Sequence, residues 1–145
     1  MNSVDTNVVL YALDKTSPDH HRARSVLQRL VSEPGQWLLC DQMLFELYRA
    51  LRNPKVVRRP LTARAAAGQL SFLRERTGAL HVAYERRLWP EVLALLSQHD
   101  RRKGILVFDV VLAVTLKANG VKRFYTHNVK DFQTLGLFEA VDPLV

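Results

Sequence analysis

Two hydrophobic patterns succeed one another along the chain: short continuous apolar runs, and longer stretches whose apolar positions recur at helical spacing. Val4 opens a very short strand that the turn Asp5-Thr6-Asn7 ends, and Val8 to Leu13 carries the chain away as one or two helical turns. Ser17-Pro18-Asp19 reads as a helix start, with Ser17 as N-cap and Pro18 at the first helical position. Ala23, Val26, Leu27, Leu30 and Val31 give that helix one buried face as far as about Glu33, before Pro34-Gly35. Trp37 to Cys40 is a second apolar strand, and Asp41 is placed to cap a helix through Leu51 or Arg52, ahead of Asn53-Pro54. Thr62 caps an alanine-rich helix ending near Thr77-Gly78, a weak strand covers Leu80 to Val82, and Pro90 to Gln98 is apolar at helical spacing. The basic loop Arg101-Arg102-Lys103-Gly104 leads into Val107 to Asn119, which is too long for an ordinary strand and reads as a mostly buried helix ending at Gly120. Phe124-Tyr125 is a further strand and Ala140-Val141 another.

Strands alternating with helices predict an α/β fold in three layers, a central parallel sheet with helices on both faces. In such a sheet the residues just after the strands gather on one rim, where open α/β folds bind their ligands. The chain has no internal repeat, linker or low-complexity segment, so residues 1–145 are expected to form one domain.

Composition adds a partner class. Twenty-one Lys and Arg against 14 Asp and Glu leave a formal charge of +7, which suits a polyanion. The single cysteine, Cys40, lies in an apolar run, which excludes a disulfide framework and suits a reducing compartment. With no basic, apolar leader and no run long enough to span a bilayer, a soluble cytoplasmic protein is expected.

The chemistry is carried by acids that interrupt apolar sequence. Asp5 comes directly after the first strand, where it serves either as an N-cap or turn former or as a site residue. Glu46 breaks the run Met43-Leu44-Phe45 and Leu47-Tyr48; with Arg49 and Asn53 it forms either an exposed stripe or one wall of a site. Asp109 stands between Ile105-Leu106-Val107-Phe108 and Val110-Val111-Leu112-Ala113-Val114. A carboxylate there costs several kcal/mol, on the order of a lost buried polar group or more, unless it caps the helix or meets a cation. All three acids fall at a strand end or in the first turns of the helix that follows, so the fold brings them to one rim. Clustered carboxylates repel, and a divalent cation is the usual reason to keep them ionised together; oxygen ligands without a Cys or His cluster favour magnesium or manganese over zinc. Thr126-His127-Asn128-Val129-Lys130-Asp131-Phe132 follows the Phe124-Tyr125 strand onto the same rim. Asn128 is placed to orient a water or a phosphate oxygen, and Asp131 either supports the acidic cluster or caps the short turn containing Phe132.

Taken in order, Val4-Asp5-Thr6-Asn7, Phe45-Glu46-Leu47-Tyr48-Arg49 with Asn53-Pro54, Phe108-Asp109 and the segment from Thr126 to Phe132 resemble the PIN domain, in particular the VapC-type toxins of bacterial toxin–antitoxin pairs. The resemblance covers nearly the whole chain. It implies a PIN-like three-layer fold and a magnesium-dependent endoribonuclease that hydrolyses phosphodiester bonds in RNA, tRNA or ribosomal RNA by class. It matches Asp5, Glu46 and Asp109 to the three catalytic acids that coordinate the metal, with Asp5 and Asp109 as the main ligands helped by Glu46, and adds Asn128 as a catalytic position where a fourth acid is usual. That replacement implies one firmly bound Mg2+, for which Mn2+ can substitute, and a second conditional on substrate. Thr6, Thr126, Arg49 and Arg102 are the implied substrate contacts, with Arg101, Arg52 and Lys103 as further cations for phosphates. A VapB-type antitoxin and a homodimer are the implied partners, with Pro60 to Tyr84 as a candidate interface. Two rivals frame this reading. A phosphatase of the haloacid dehalogenase type expects a second Asp where Asn7 stands and an acidic pair where Val110 follows Asp109. A catalytically impaired RNA- or antitoxin-binding module is the other, with Asn128 as its one feature.

Overall fold

A computed structural model describes residues 1–99 and 106–145. The strands are β1 (Asn2–Val4), β2 (Leu38–Cys40), β3 (Leu80–Val82), β4 (Arg123–Tyr125) and β5 (Glu139–Val141). The helices are α1 (Thr6–Leu13), α2 (His20–Ser32), α3 (Asp41–Leu51), α4 (Ala63–Glu75), α5 (Trp89–Ser97), α6 (Val107–Ala118) and α7 (Val129–Leu135), and a 3-10 turn at Arg86–Leu88 precedes α5.

All strand pairs are parallel. β1 pairs with β4 and β4 with β5, while β2 pairs with β3. A bridge between Asn2 and Trp37, with the Ser3 hydroxyl donating to the Leu38 carbonyl at 2.6 Å, joins the two sets into the order β3-β2-β1-β4-β5. The strands are short and buried on both faces, so neighbouring residues alternate between two cores. Val4, Leu39 and Tyr125 pack with α1 to α4 on one face, whereas Leu38, Cys40, Phe124 and Ala140 pack with α5 to α7 on the other. The expected three layers are therefore present, and Cys40 is the small buried hydrophobe its context implied.

Two helix starts differ from expectation. α2 begins at His20 instead of Pro18: the Ser17 hydroxyl accepts the Asp19 N–H at 3.2 Å, a local turn that uses the side chain before any helix forms. Asp41 is the first residue of α3 and not its cap, because Cys40 is still extended at the end of β2. Thr62 caps α4 as expected, accepting the Ala65 N–H at 3.2 Å. The basic loop from Arg101 to Gly104 lies outside the described residues.

The topology sets the position of the site. From β1 the chain builds outward through β2 to β3, then crosses to the other side of β1 for β4 and β5. The strand order thus reverses between β1 and β4, and their carboxyl ends frame the crevice that such folds use for ligands.

Candidate active site

Asp5 follows β1 at that reversal. Its backbone N–H donates to the Tyr125 carbonyl at 2.8 Å, continuing the β1–β4 ladder one residue past the strand. Its side chain is buried, and every bond it makes holds it in place. Oδ1 accepts the Thr6 N–H at 2.8 Å, so Asp5 is also the N-cap of α1. Oδ2 accepts the Thr126 hydroxyl at 2.7 Å and the Asn7 amide at 3.3 Å. The capping reading of Asp5 is thus seen directly, and it leaves the carboxylate at the rim where the site reading also needs it.

Glu46 projects from the second turn of α3. The Thr6 hydroxyl donates to its Oε2 at 3.2 Å, and the Gln42 amide to its Oε1 at 3.2 Å. The same Gln42 nitrogen donates to the Phe108 carbonyl at 2.8 Å, which ties α3 to the first turn of α6. Asp109, half-buried in that turn, accepts the Leu106 N–H through Oδ2 at 3.3 Å. Thr6, Glu46, Arg49, Asn53, Phe108 and Asp109 face one open groove of about 400 Å³.

The acids act on one another. Burial pushes the Asp5 carboxyl up to about 6, against the bonds from Thr126 and Thr6 that favour its ionised form, and the charges of Glu46 and Asp109 push the same way as burial. Asp109 is also raised, first by burial and then by Glu46 and Asp131, while the Leu106 N–H works against the rise. Asp131, in the first turn of α7, therefore stands close enough for its charge to be felt at Asp109. A buried acid surrounded by acids is held in an unfavourable field that a cation would relieve.

The other expected contacts divide. Arg49 is exposed, lines the groove, and has no ion-pair partner among the described residues. Arg52 instead lies over the Tyr48 ring, 5.7 Å from its centre, and lines no part of the groove. Thr126 is fully buried, bonded to Asp5 and accepting the Asn128 N–H at 2.9 Å, so its expected role as a substrate contact gives way to one of holding Asp5. The Asn128 side chain is exposed at the start of α7 and makes no capping bond. Arg102 lies outside the described residues.

Residues 3–136 match the PIN domain family. The chain is a PIN-domain protein. It is 37% identical over 147 aligned residues to ribonuclease VapC24 of Mycobacterium tuberculosis, an alignment covering 99% of this chain and 97% of that protein. Among solved structures, the M. tuberculosis toxin VapC20, described as cleaving the sarcin-ricin loop, matches with a TM-score of 0.73 at 19% identity, covering 96% of this chain and 98% of that one. VapBC2 of Rickettsia felis, bound to a DNA fragment from its promoter, matches with a TM-score of 0.70 at 15% identity over 97% of this chain and 96% of that one. These likenesses extend the fold to nearly the full length of both chains.

PIN-domain ribonucleases generally depend on a divalent metal, and the donor set here fits one. It offers carboxylate oxygens, with the most buried of them pushed up to about 6 by burial and by the neighbouring charges of Glu46 and Asp109. Among the described residues no three Asp, Glu, His or Cys side chains are grouped closely enough to hold a metal ion by themselves, so the expected cluster of three is not closed by the protein alone.

Sequence reasoning passed over two features of this PIN domain. Gln42 stands one helical turn before Glu46, and its spacing was the only available signal. His127 bonds Asp142 at 3.0 Å through Nδ1, while its backbone N–H donates to Asn7 at 3.3 Å. Asn7 in turn reaches Asp5, so the chain's last strand is wired to the site.

Thr126 offers a direct check on this wiring. Thr126→Val keeps the shape but removes the donor to Asp5 and the acceptor of the Asn128 N–H. Loss of such a supporting bond costs roughly 10- to 100-fold in metal affinity or activity. A magnesium titration of activity should move accordingly in the folded variant, and an unchanged midpoint and rate would show that Asp5 needs no such support.

Proposed function

We propose that this chain is a magnesium-dependent endoribonuclease, the toxin of a toxin–antitoxin pair, hydrolysing phosphodiester bonds in a tRNA or ribosomal RNA. The observation that carries the reading is Asp5: a buried carboxylate, pushed up to about 6, at the reversal point of a PIN fold and in the field of Glu46 and Asp109. VapC24, whose likeness spans the whole chain, is named a ribonuclease, and VapC20 is a toxin that cuts an RNA loop.

In this proposal Asp5 and Asp109 hold the magnesium. When bound, the ion supplies positive charge to the phosphate oxygens and activates the water that attacks phosphorus. Glu46 takes up the proton of that water; its two oxygens are aimed by Thr6 and Gln42, which fixes the carboxylate against the groove. Thr126 and the Thr6 N–H keep Asp5 in one rotamer. Arg49 and the exposed Asn128 bind phosphate oxygens at the groove's edge. Mn2+ is expected to replace Mg2+, since both favour oxygen donors.

A VapB-type antitoxin and a second copy of the chain are the proposed protein partners, with the Rickettsia felis toxin–antitoxin complex as the structural support for the first. No described helix is long and apolar enough to cross a membrane.

The decisive measurement is incubation of the purified protein with total RNA, with magnesium and with a chelator. Discrete fragments that appear only with magnesium are the expected result. Intact RNA under both conditions removes the nuclease reading and leaves the impaired binding module in its place.

A further inference from the structure

The groove beside the acids has a second character that metal binding does not use. Phe108, immediately before Asp109, is 63% exposed, whereas Val110, Leu112, Ala113, Val114 and Leu116 after it on α6 are buried. The core of α6 therefore does not need this ring. Its backbone is nevertheless fixed: the Phe108 carbonyl accepts the Gln42 amide at 2.8 Å, and the Asp109 carboxylate closes back on the Leu106 N–H. The same groove is lined by Arg49, without an ion-pair partner among the described residues, and by the exposed Val56.

We infer that this groove is a nucleotide subsite, in which the base next to the scissile phosphate stacks on Phe108 while Arg49 takes the adjoining phosphate. The inference rests on the nuclease reading and deepens it. Three observations select a nucleotide as the occupant. The space of about 400 Å³ is within the range of small-ligand sites and is open to solvent. Its lining joins an exposed aromatic ring to a cation without an ion-pair partner among the described residues, which matches a base joined to a phosphate. The same lining includes Glu46 and Asp109, so a nucleotide seated there brings its phosphodiester to the acids. An apolar peptide would cover Phe108 and Val56 but leave Arg49 and the acids unmatched. Stacking is tolerant of base identity, because every base has a π-face, so this subsite sets the grip on the strand more than the sequence cut.

The test uses a short RNA that the full-length protein cleaves, together with two copies carrying a single abasic residue on one or the other side of the cleaved bond. Phe108→Ala is expected to lower kcat/KM on the intact RNA by roughly 5- to 100-fold, with Phe108→Trp close to the parent. On one of the abasic RNAs the parent and Phe108→Ala should become equal, since the base that distinguishes them is gone. The melting temperature and its response to magnesium should be unchanged in Phe108→Ala, which separates stacking from damage to the fold. Equal cleavage of the intact RNA by the parent and Phe108→Ala overturns the inference while leaving the nuclease reading standing. A Phe108→Ala defect that persists on both abasic RNAs assigns the ring to packing or to protein docking, and overturns it as well. A parent that cleaves no RNA overturns the nuclease reading and this inference together.

Discussion

Asp5→Asn and Asp109→Asn are each expected to lower RNA cleavage on the order of a thousandfold or more, the scale set by losing charge stabilisation and water activation at one centre. Neither variant should destabilise the protein without metal. Asp5 is buried, and burial opposes its ionisation, so replacing it with a neutral amide of the same shape removes an unfavourable charge. The amide oxygen can still accept the Thr6 N–H, and Thr126 can rotate to accept from the new NH2, so the one bond given up is the long one from the Asn7 amide at 3.3 Å. Asp5→Asn should therefore melt no lower than the parent in chelator, while losing its response to magnesium. Asp109 is half-buried and caps the first turn of α6 through the Leu106 N–H. An amide oxygen accepts that bond less strongly than a carboxylate, but burial and the charges of Glu46 and Asp131 disfavour the ionised acid, so Asp109→Asn is also expected to melt close to the parent in chelator. Cleavage assays and thermal melts on the two proteins check both statements. Full ribonuclease activity in either variant would remove that acid from the metal site.

Much of the fold was legible because its elements obey one rule at a time. β2 is a continuous apolar run with both faces buried, and α4 carries its own cap in Thr62. What escaped was local competition. Ser17-Pro18-Asp19 has the composition of a helix start, but the Ser17 hydroxyl satisfies the Asp19 N–H inside a turn, and the helix waits until His20. The 3-10 turn at Arg86–Leu88 has no apolar period long enough to announce it. α6 was expected to be mostly buried, yet its first two residues, Val107 and Phe108, are exposed where the helix overhangs the groove.

The acids were legible for a different reason. Glu46 and Asp109 stand among apolar residues, and a carboxylate in that setting demands an explanation that a lone surface acid does not. Their ranking changed once the contacts were known: Asp5, ordinary as sequence, gathers the most donors of the three acids, from Thr6 and Asn7 at the start of α1 and from Thr126 just after β4. Gln42, His127 and Asp142 were missed because their roles depend on contacts between distant segments. Nothing in the order of residues says that Gln42 bridges Glu46 to Phe108, 66 positions away. Thr126 was placed on the correct rim, but periodicity does not reveal whether a hydroxyl after a strand points outward to substrate or inward to Asp5.

The pH dependence of stability is expected to invert when magnesium is added. In the metal-free protein, Asp5 rises from 3.8 to about 6 on folding, so the folded state favours its protonated form. Stability from this group is present in full below about pH 4 and is lost as pH climbs through about 6; two pKa units set its scale at about 3 kcal/mol. Asp109 is shifted in the same direction and adds to the loss. Glu33 and Glu85 are lowered, by bonds from Trp37 and Arg29 and from Arg87, and so favour folding as pH rises; their part is complete near pH 5. Between pH 5 and 7.5 the acids of the site therefore dominate the carboxylate contribution. A cation held by Asp5 and Asp109 stabilises their ionised forms and removes the penalty. Magnesium should then raise the melting temperature little at pH 5 and by several degrees at pH 7.5, at about 3–5 °C for each kcal/mol in a domain of this size. Asp5→Asn isolates the part played by Asp5: in that variant the magnesium effect should be small at every pH. A magnesium shift equal at pH 5 and pH 7.5, or one that survives in Asp5→Asn, would mean that the ion binds elsewhere and that Asp5 is buried for structural reasons alone.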